Sequence, residues 1–309
     1  MIFNFQKKYY VLFEFLKAME AKHLNHLIQK ITLIFSLLQY TNTLYSGTFS
    51  IATYNVAGLP EPFSQSRPYK YSPMIGSKLN QFDISLVQED FNYHERLIRN
   101  IEHGFLSDFS GPAMFGDGLS QFSYQAFENL RRIKWNHCHG LFRHGSDCLT
   151  PKGFSISDYI PEPGHKIVIV NLHADSGYDA LSRSANHNNH LQLIKLIKDI
   201  SLPIIIAGDF NAKHSDTPSN LEGYLDAGFT DVWSYFFKKC SSSQKGSGQE
   251  MDYCKQLEVF PEEAIDKIFF RSGSEITLQP VLYSMHQDFK DLDGNDLSDH
   301  LPVAATFTY

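Results

Sequence analysis

The chain lacks a basic excess, a membrane-length apolar run, a glycine-rich phosphate loop and an internal repeat. Lysine and arginine total 27 against 34 aspartates and glutamates, a formal charge of −7. A protein whose main task is gripping nucleic acid carries a basic excess or stripe. None is visible here, although an enzyme needs only a local basic groove. No stretch reaches the roughly 20 apolar residues of a membrane-spanning helix. The glycine-rich loops of the nucleotide-binding types are missing, and no solenoid period recurs. What is left is a globular profile, 42% apolar and 20% charged over 309 residues. That is ample material for the core of one large α/β or β-sandwich domain.

Two features stand apart from that profile. At the N-terminus, Lys22 and Lys30 precede an apolar stretch from Ile31 to Leu38, followed by small and polar residues up to Gly47. The order resembles a secretory signal, with Met19 as an alternative start and an amphipathic helix packed on the domain as the alternative structure. Residues 1–47 are therefore expected to be separate from a single domain over 48–309, with a secreted location expected and a cytoplasmic one as the alternative. The four cysteines fall as local pairs, Cys138 with Cys148 and Cys240 with Cys254. Two short-loop disulfides suit them in an exported protein. A zinc site using His137, His139 and His144 beside those cysteines is the other option, but the spacing matches no standard zinc motif.

Along the rest of the chain, alternating apolar and polar residues predict a strand at "TFSIATYNV" (48–56), and apolar segments at "DISLVQED" (83–90), "GFSISDYI" (153–160), "KIVIVNLHADS" (166–176) and "LPIIIAGDFNAK" (202–213) read as further strands, the last in the core. "AIDKIFFRSG" (264–273) and "LPVAATFTY" (301–309) supply two late ones. Helical spacing predicts a helix over 72–82, with Ser72 and Pro73 as cap and first turn. A second helix is expected over 186–200, with Leu191, Ile194, Ile197 and Ile200 on its apolar face. "KKCSSSQKGSGQEMDYC" (238–254) reads as a surface loop, and "DLDGND" (291–296) as another whose glycine is misplaced for a calcium hand. His187 and His190 read as solvated in a first helical turn.

One oddity recurs at the strand ends. Asn55 follows "IATY", Glu89 ends "DISLVQE", His173 ends "VIVNLH", Asp209 and Asn211 end "IIIAGDFN", and Asp299 with His300 sit in "LSDHLP". In a strand, residues i and i+2 share a face, so Asp209 and Asn211 project together. One polar residue after a strand is a turn former. Five such ends built from hard-oxygen ligands and imidazoles suit Mg²⁺, with Mn²⁺ or Ca²⁺ as alternatives, acting on a phosphate.

These segments resemble, in order and over about 50–309, the endonuclease/exonuclease/phosphatase superfamily, the DNase I-like fold. "GDFN" followed by "SDHLP" is the most specific part. The resemblance implies a four-layered α/β sandwich, two mixed β-sheets face to face with helices outside. It also implies that Glu89 is the main ion ligand, with Asn55 beside it and Asp299 assisting. Asp209 and Asn211 would position water and phosphate. His300 would interact with the scissile phosphate or act as general base, with Asp266 in "IDKIFF" orienting its imidazole, and His173 would be the second imidazole, near the phosphate or the leaving group. Such a protein is a phosphodiesterase of phosphoester substrates, expected to work as a monomer.

The family spans nucleases, phosphatases and sphingomyelinases. "SDCLTPKGFSI" (146–156) resembles a segment of sphingomyelinase-type members, so a phospholipid headgroup at a membrane surface is the favoured substrate. A nuclease of the same fold and a binding protein with a dead site are the alternatives. Lys152 sits either near the lipid phosphate or in solvent at a strand entry. The long apolar hairpin that bacterial sphingomyelinases insert into bilayers is not obvious, and Trp233, Phe236 and Phe237 read as core.

Overall fold

The computed structural model describes residues 47–140, 147–242 and 263–309. The signal-like stretch, His144, most of the 238–254 loop and Cys254 lie outside the described residues. Thr48–Tyr309 form one compact unit, and among the described residues no helix is long and apolar enough to cross a membrane.

The strands build two six-stranded sheets. In the first, β1 (Thr48–Asn55) pairs in parallel with β2 (Ile84–Gln88) and antiparallel with β12 (Val303–Thr308). β4 (Ser120–Ser123) flanks β2, with β3 (Phe105–Leu106) beyond it; β11 (Gln279–Met285) flanks β12. The second sheet repeats the scheme. Here β7 (Ile167–His173) and β8 (Ile204–Asp209) are the parallel pair. β6 (Gly153–Tyr159) and β10 (Asp266–Arg271) are their antiparallel neighbours. β5 (Phe127–Lys134) and β9 (Thr230–Asp231) form the edges. Each parallel pair needs a crossover. α1 (Pro68–Leu79) supplies one, α3 (Ala180–Ile197) the other; α2 (His94–Leu97) and α4 (Glu222–Asp226) are single short turns.

Alternation along the strands sorts side chains into layers. Phe49, Ile51, Ile84 and Leu86 meet Ile167, Ile169, Ile205 and Ala207 in one buried cluster between the sheets. Ala52, Tyr54 and Val87 pack outward with Ile75 and Leu79 of α1. Val168, Val170, Ile204 and Ile206 pack outward with Leu193 and Ile197 of α3. The result is the expected four-layered sandwich, helix on sheet on sheet on helix. Each fully buried Ile, Leu or Phe contributes about 1.5–3 kcal/mol through burial.

Toward one end of the strands the inter-sheet row turns polar, and its groups pair across the gap. Gln88 Nε2 of the first sheet donates to Asn171 Oδ1 of the second at 2.7 Å, and to Thr53 Oγ1 at 3.0 Å. Asn171 Nδ2 donates back to the carbonyls of Val87 at 3.1 Å and Ser120 at 3.0 Å. Gln88 and Asn171 are fully buried, so these bonds satisfy groups that water cannot reach.

Several local expectations need correction. α1 begins at Pro68, four residues before Ser72. Pro68 already supplies the helix-compatible first-turn geometry, and the Ser72 hydroxyl donates back to the Pro68 carbonyl at 2.6 Å. α3 begins at Ala180 behind an Asp179 cap whose carboxylate accepts from the Leu181 and Ser182 N–H groups. Its buried stripe is Ser182, Asn186, Asn189, His190, Leu193 and Ile197; Leu191 faces solvent. His190 is thus inside the helix and buried, bonded to the Tyr224 hydroxyl at 2.9 Å and the Phe210 carbonyl at 3.1 Å. In α5 (Val232–Ser242) Phe236 is core, but Phe237 remains 43% exposed, stacked on the partly buried Trp233.

Replacing Asn171 by Ala would strand the Gln88 amide and two backbone carbonyls. Urea unfolding is expected to show a loss of about 2–4 kcal/mol with an unchanged m-value. At Asp179 the bonds to Ser182, side chain then backbone, hold the carboxyl down at about 2. A carboxyl depressed in the folded state stabilises above its ordinary pKa and loses that effect as pH falls through about 2. Asp179→Ala should therefore lower Tm at pH 6 but leave it nearly unchanged near pH 2.

Candidate active site

The site lies where the inter-sheet row ends. On β1 the row runs Phe49, Ile51, Thr53, Asn55; on β7 it runs Ile167, Ile169, Asn171, His173; on β8 it ends at Asp209 and on β10 at Asp266. In register, Asp209 faces both His173 and Asp266. The backbone then turns sharply. Ala57, Glu89 and Asn211 adopt left-handed φ values of 48°, 57° and 47°, a conformation that costs a residue with a Cβ about 1–2 kcal/mol. Such strain persists only where surrounding structure enforces it. Gly208 is required for the approach of the strands: a Cβ there would collide with the Leu172 carbonyl oxygen.

Both sheets contribute to one cluster. Asn55 Nδ2 donates to Glu89 Oε1 at 3.1 Å and to Asp209 Oδ2 at 3.2 Å. His173 Nε2 lies 3.5 Å from Asp209 Oδ2 and 4.0 Å from Glu89 Oε1. His300 Nε2 lies 3.9 Å from Asp209 Oδ2, and its Nδ1 contacts Asp266 Oδ2 at 2.7 Å. Asn211 turns aside: its N–H donates to Asp209 Oδ1 at 3.0 Å, while its side chain donates to the Ala174 carbonyl at 3.1 Å. Asp299 is exposed and meets only the Ser298 hydroxyl, at 3.2 Å. It therefore flanks the cluster without joining it.

Lys152 is neither solvated nor loose. It is buried, with its ammonium on Asp147 and 3.0 Å from His173 Nε2. An ammonium has no lone pair to offer, so Nε2 accepts and the ring proton resides on Nδ1. Asp147 in turn accepts from the N–H and hydroxyl of Ser176, each at 3.0 Å. The Cys138–Cys148 disulfide ends next to Asp147; its formation removes both thiols and with them the zinc alternative. Cys240 is also disulfide-bonded. In the 291–296 loop, Asp291 is tied to Lys70 at 2.7 Å and to the Asp293 and Asn295 N–H groups, a surface loop closed on itself.

Charge at the centre is arranged by burial and by neighbours. Burial opposes the His300 imidazolium, but Asp266, Asp209 and Asp299 outweigh it and push its pKa up to about 11. Burial, then the adjacent Asp266, raises Asp209 to about 7, against the pull of His300 and Lys152. Burial, then Lys152 and His300, holds His173 well below the ordinary histidine range, so it is neutral. Burial opposes the Lys152 charge as well, yet Asp147 and Glu89 keep it protonated. Oxygens of Asp209 and Asp266 and one imidazole nitrogen of His300 all lie within 4.8 Å of one another; a protonated imidazole offers no lone pair, so the carboxylates are the atoms able to ligate a metal ion there. The Asp266 Oδ1 atom is buried without a partner. Carboxylates outnumber the local cations, and hard oxygens are the donors that Mg²⁺-class ions take.

Sequence reading missed Asp147, Gln88 and Asn171 as parts of this construction. Asn171 had a signal: it is two residues before His173 and so shares its face. Asp147 had none beyond its nearness to Lys152, because the contact depends on how the disulfide loop folds back.

A cluster of carboxylates, carboxamides and imidazoles at one edge of a face-to-face α/β sandwich defines a DNase I-like protein. The chain belongs to the Endonuclease/Exonuclease/phosphatase family, whose pattern matches residues 52–300. It is 33% identical over 283 residues to proteins named sphingomyelinase from Mycobacterium bovis and Mycobacterium tuberculosis, covering 87% of this chain and 54% of theirs. It thus spans about half the length of these relatives. Among solved structures, a variant of the Staphylococcus aureus beta toxin with bound magnesium ions superposes with a TM-score of 0.58 at 17% identity, covering 84% of this chain and 99% of that one. D. rerio TDP2 complexed with a single-strand DNA product gives a TM-score of 0.60 at 16% identity, covering 85% and 100%.

The His300–Asp266 contact makes a direct prediction for protein stripped of metal by chelator. In Asp266→Asn the His300 pKa, followed by histidine NMR, should fall from about 11 toward the ordinary value of about 6.5. A titration unchanged by the substitution would disprove the pairing.

Proposed function

We propose that this chain is a divalent-metal-dependent phosphodiesterase whose favoured substrate is a phospholipid headgroup, in the manner of a sphingomyelinase. The observation that carries the reading is the junction of Asn55, Glu89, His173, Asp209 and His300, from both sheets, in one polar cluster. Relatives named sphingomyelinase, 33% identical, favour the lipid over the nucleic acid.

In this reading Glu89 would hold the ion, with Asn55 beside it and Asp299, outside the cluster, assisting through its charge, and Mg²⁺ is the favoured ion. The ion supplies charge stabilisation to phosphoryl oxygens. His300, kept protonated by Asp266, donates hydrogen bonds to the phosphoryl oxygens where negative charge develops. Asp209 accepts a proton from the attacking water, its carboxylate held in place by the Asn211 N–H; a pKa of about 7 suits that task at neutral pH. Lys152, through the neutral His173, adds positive potential on the leaving-group side. The cluster is complete within one chain, in keeping with action as a monomer, and the signal-like N-terminus is in keeping with export.

The test is a substrate panel with purified protein and Mg²⁺, using sphingomyelin in detergent micelles and supercoiled plasmid DNA. Phosphocholine release abolished by chelator is expected. Plasmid nicking without phosphocholine release would replace the lipid reading by a nuclease. Glu89→Gln and His300→Ala should each lower turnover by about 10³-fold or more while keeping the thermal transition. Full activity in either variant would remove the mechanism.

A further inference from the structure

The register of the strands puts all site residues at one end of the two sheets. The same end receives the connections from β1 to α1, β3 to β4, β7 to α3 and β11 to β12. Among the described residues, the six most exposed large apolar side chains all sit there. They are Phe63, Met114, Phe115, Tyr178, Leu181 and Leu292, exposed by 63% at Leu181 up to 103% at Leu292. The next, Tyr69 at 59%, is covered by the Arg96 guanidinium 3.7 Å from its ring. Among the described residues, the opposite end exposes no large apolar side chain beyond Leu225, at 47%.

These loops are fastened to the catalytic turn. Gly58 N–H donates to the Glu89 carbonyl at 3.1 Å, Asn92 N–H to the Gly58 carbonyl at 3.1 Å, and Asp90 N–H to the Gly118 carbonyl at 2.9 Å. The loop bearing Met114 and Phe115 therefore hangs from the backbone beside Glu89. Ser66 Oγ donates to the Leu297 carbonyl at 2.9 Å, joining the Phe63 loop to the segment that carries Asp299 and His300. Among the described residues, none of the six belongs to a core cluster. Placing such side chains in water at one end only is costly in solubility, and it marks an interaction surface.

We propose that this apolar rim docks on a zwitterionic lipid bilayer, seating the phosphoryl centre against the membrane; the inference rests on the lipid reading given above. Aromatic and aliphatic tips on several loops, without a helix to insert, suit shallow burial at the headgroup–acyl boundary. A chain with a formal charge of −7 is repelled by an anionic surface, which favours a bilayer without net charge. Contact is then apolar and insensitive to salt.

The test uses the full chain with chelator, so that nothing is hydrolysed, and unilamellar phosphatidylcholine vesicles. Co-sedimentation should persist in about 1 M salt, where the screening length is only about 3 Å. The variant Phe63→Ser/Met114→Ser/Phe115→Ser should bind vesicles about tenfold or more weakly. The ratio of its activity on sphingomyelin vesicles to that on soluble bis(p-nitrophenyl) phosphate should fall by a similar factor. Tyr178→Ser/Leu292→Ser, on other loops, should act in the same direction, with circular dichroism confirming the fold of both. Wild-type binding that salt abolishes, an unchanged ratio in both variants, or sedimentation velocity showing the rim buried in a dimer would each overturn the proposal. Vesicle binding without phosphocholine release from micelles would overturn the lipid reaction and leave the docking surface standing.

Discussion

The pairing of Gln88 with Asn171 across the two sheets is the constraint on which the site depends. A sandwich core has no water, so every amide placed in it must find a partner. Here the partner of each is on the opposite sheet, and both also hold backbone carbonyls or a threonine hydroxyl. Apolar packing would tolerate a slide of one sheet over the other; directional bonds do not. Glu89 follows Gln88 directly, and His173 follows Asn171 by two residues on the same face. The clamp therefore fixes the two halves of the site relative to each other before any substrate arrives.

The electrostatics build on that alignment. Burial and the neighbouring Asp266 raise Asp209, while the nearby cations His300 and Lys152 pull it down. Lys152 is shared with Asp147, and His300 leans on Asp266. The outcome is a graded set: a histidine held charged, a histidine held neutral, and an aspartate brought to about 7. Groups of the same chemical type thus acquire opposite protonation tendencies from their surroundings alone. The left-handed turns at Ala57, Glu89 and Asn211 are the backbone's share of the same arrangement.

Much of this was legible in the sequence. Strands at 48–56, 83–90 and 202–213 were readable because buried parallel strands are short apolar runs, and the polar residues ending them stood out against that background. Asn55, Glu89, His173, Asp209 and His300 do converge. The helix limits were less legible. The inner face of α3 is polar over its first half, where it packs on the backbone around Phe210 and Asp175, so its apolar periodicity appears only late. Lys152 looked like a strand-entry lysine because a local reading cannot supply Asp147 and His173 as neighbours.

By itself the sequence determined the layers, the strand ends and the kinds of atoms found there, since period-two alternation and residue chemistry are local properties. Only the tertiary structure decided which of those ends meet, which acid leans on which imidazole, and that Asp299 stands at the margin. It also decided that the exposed apolar tips share the catalytic end. Those facts arise from the crossing of two sheets and the folding back of loops, where residues far apart in the chain, Asn55 and Asp209 at 154 positions and Asn55 and Ser298 at 243, come within hydrogen-bond distance. No local pattern encodes a contact of that span.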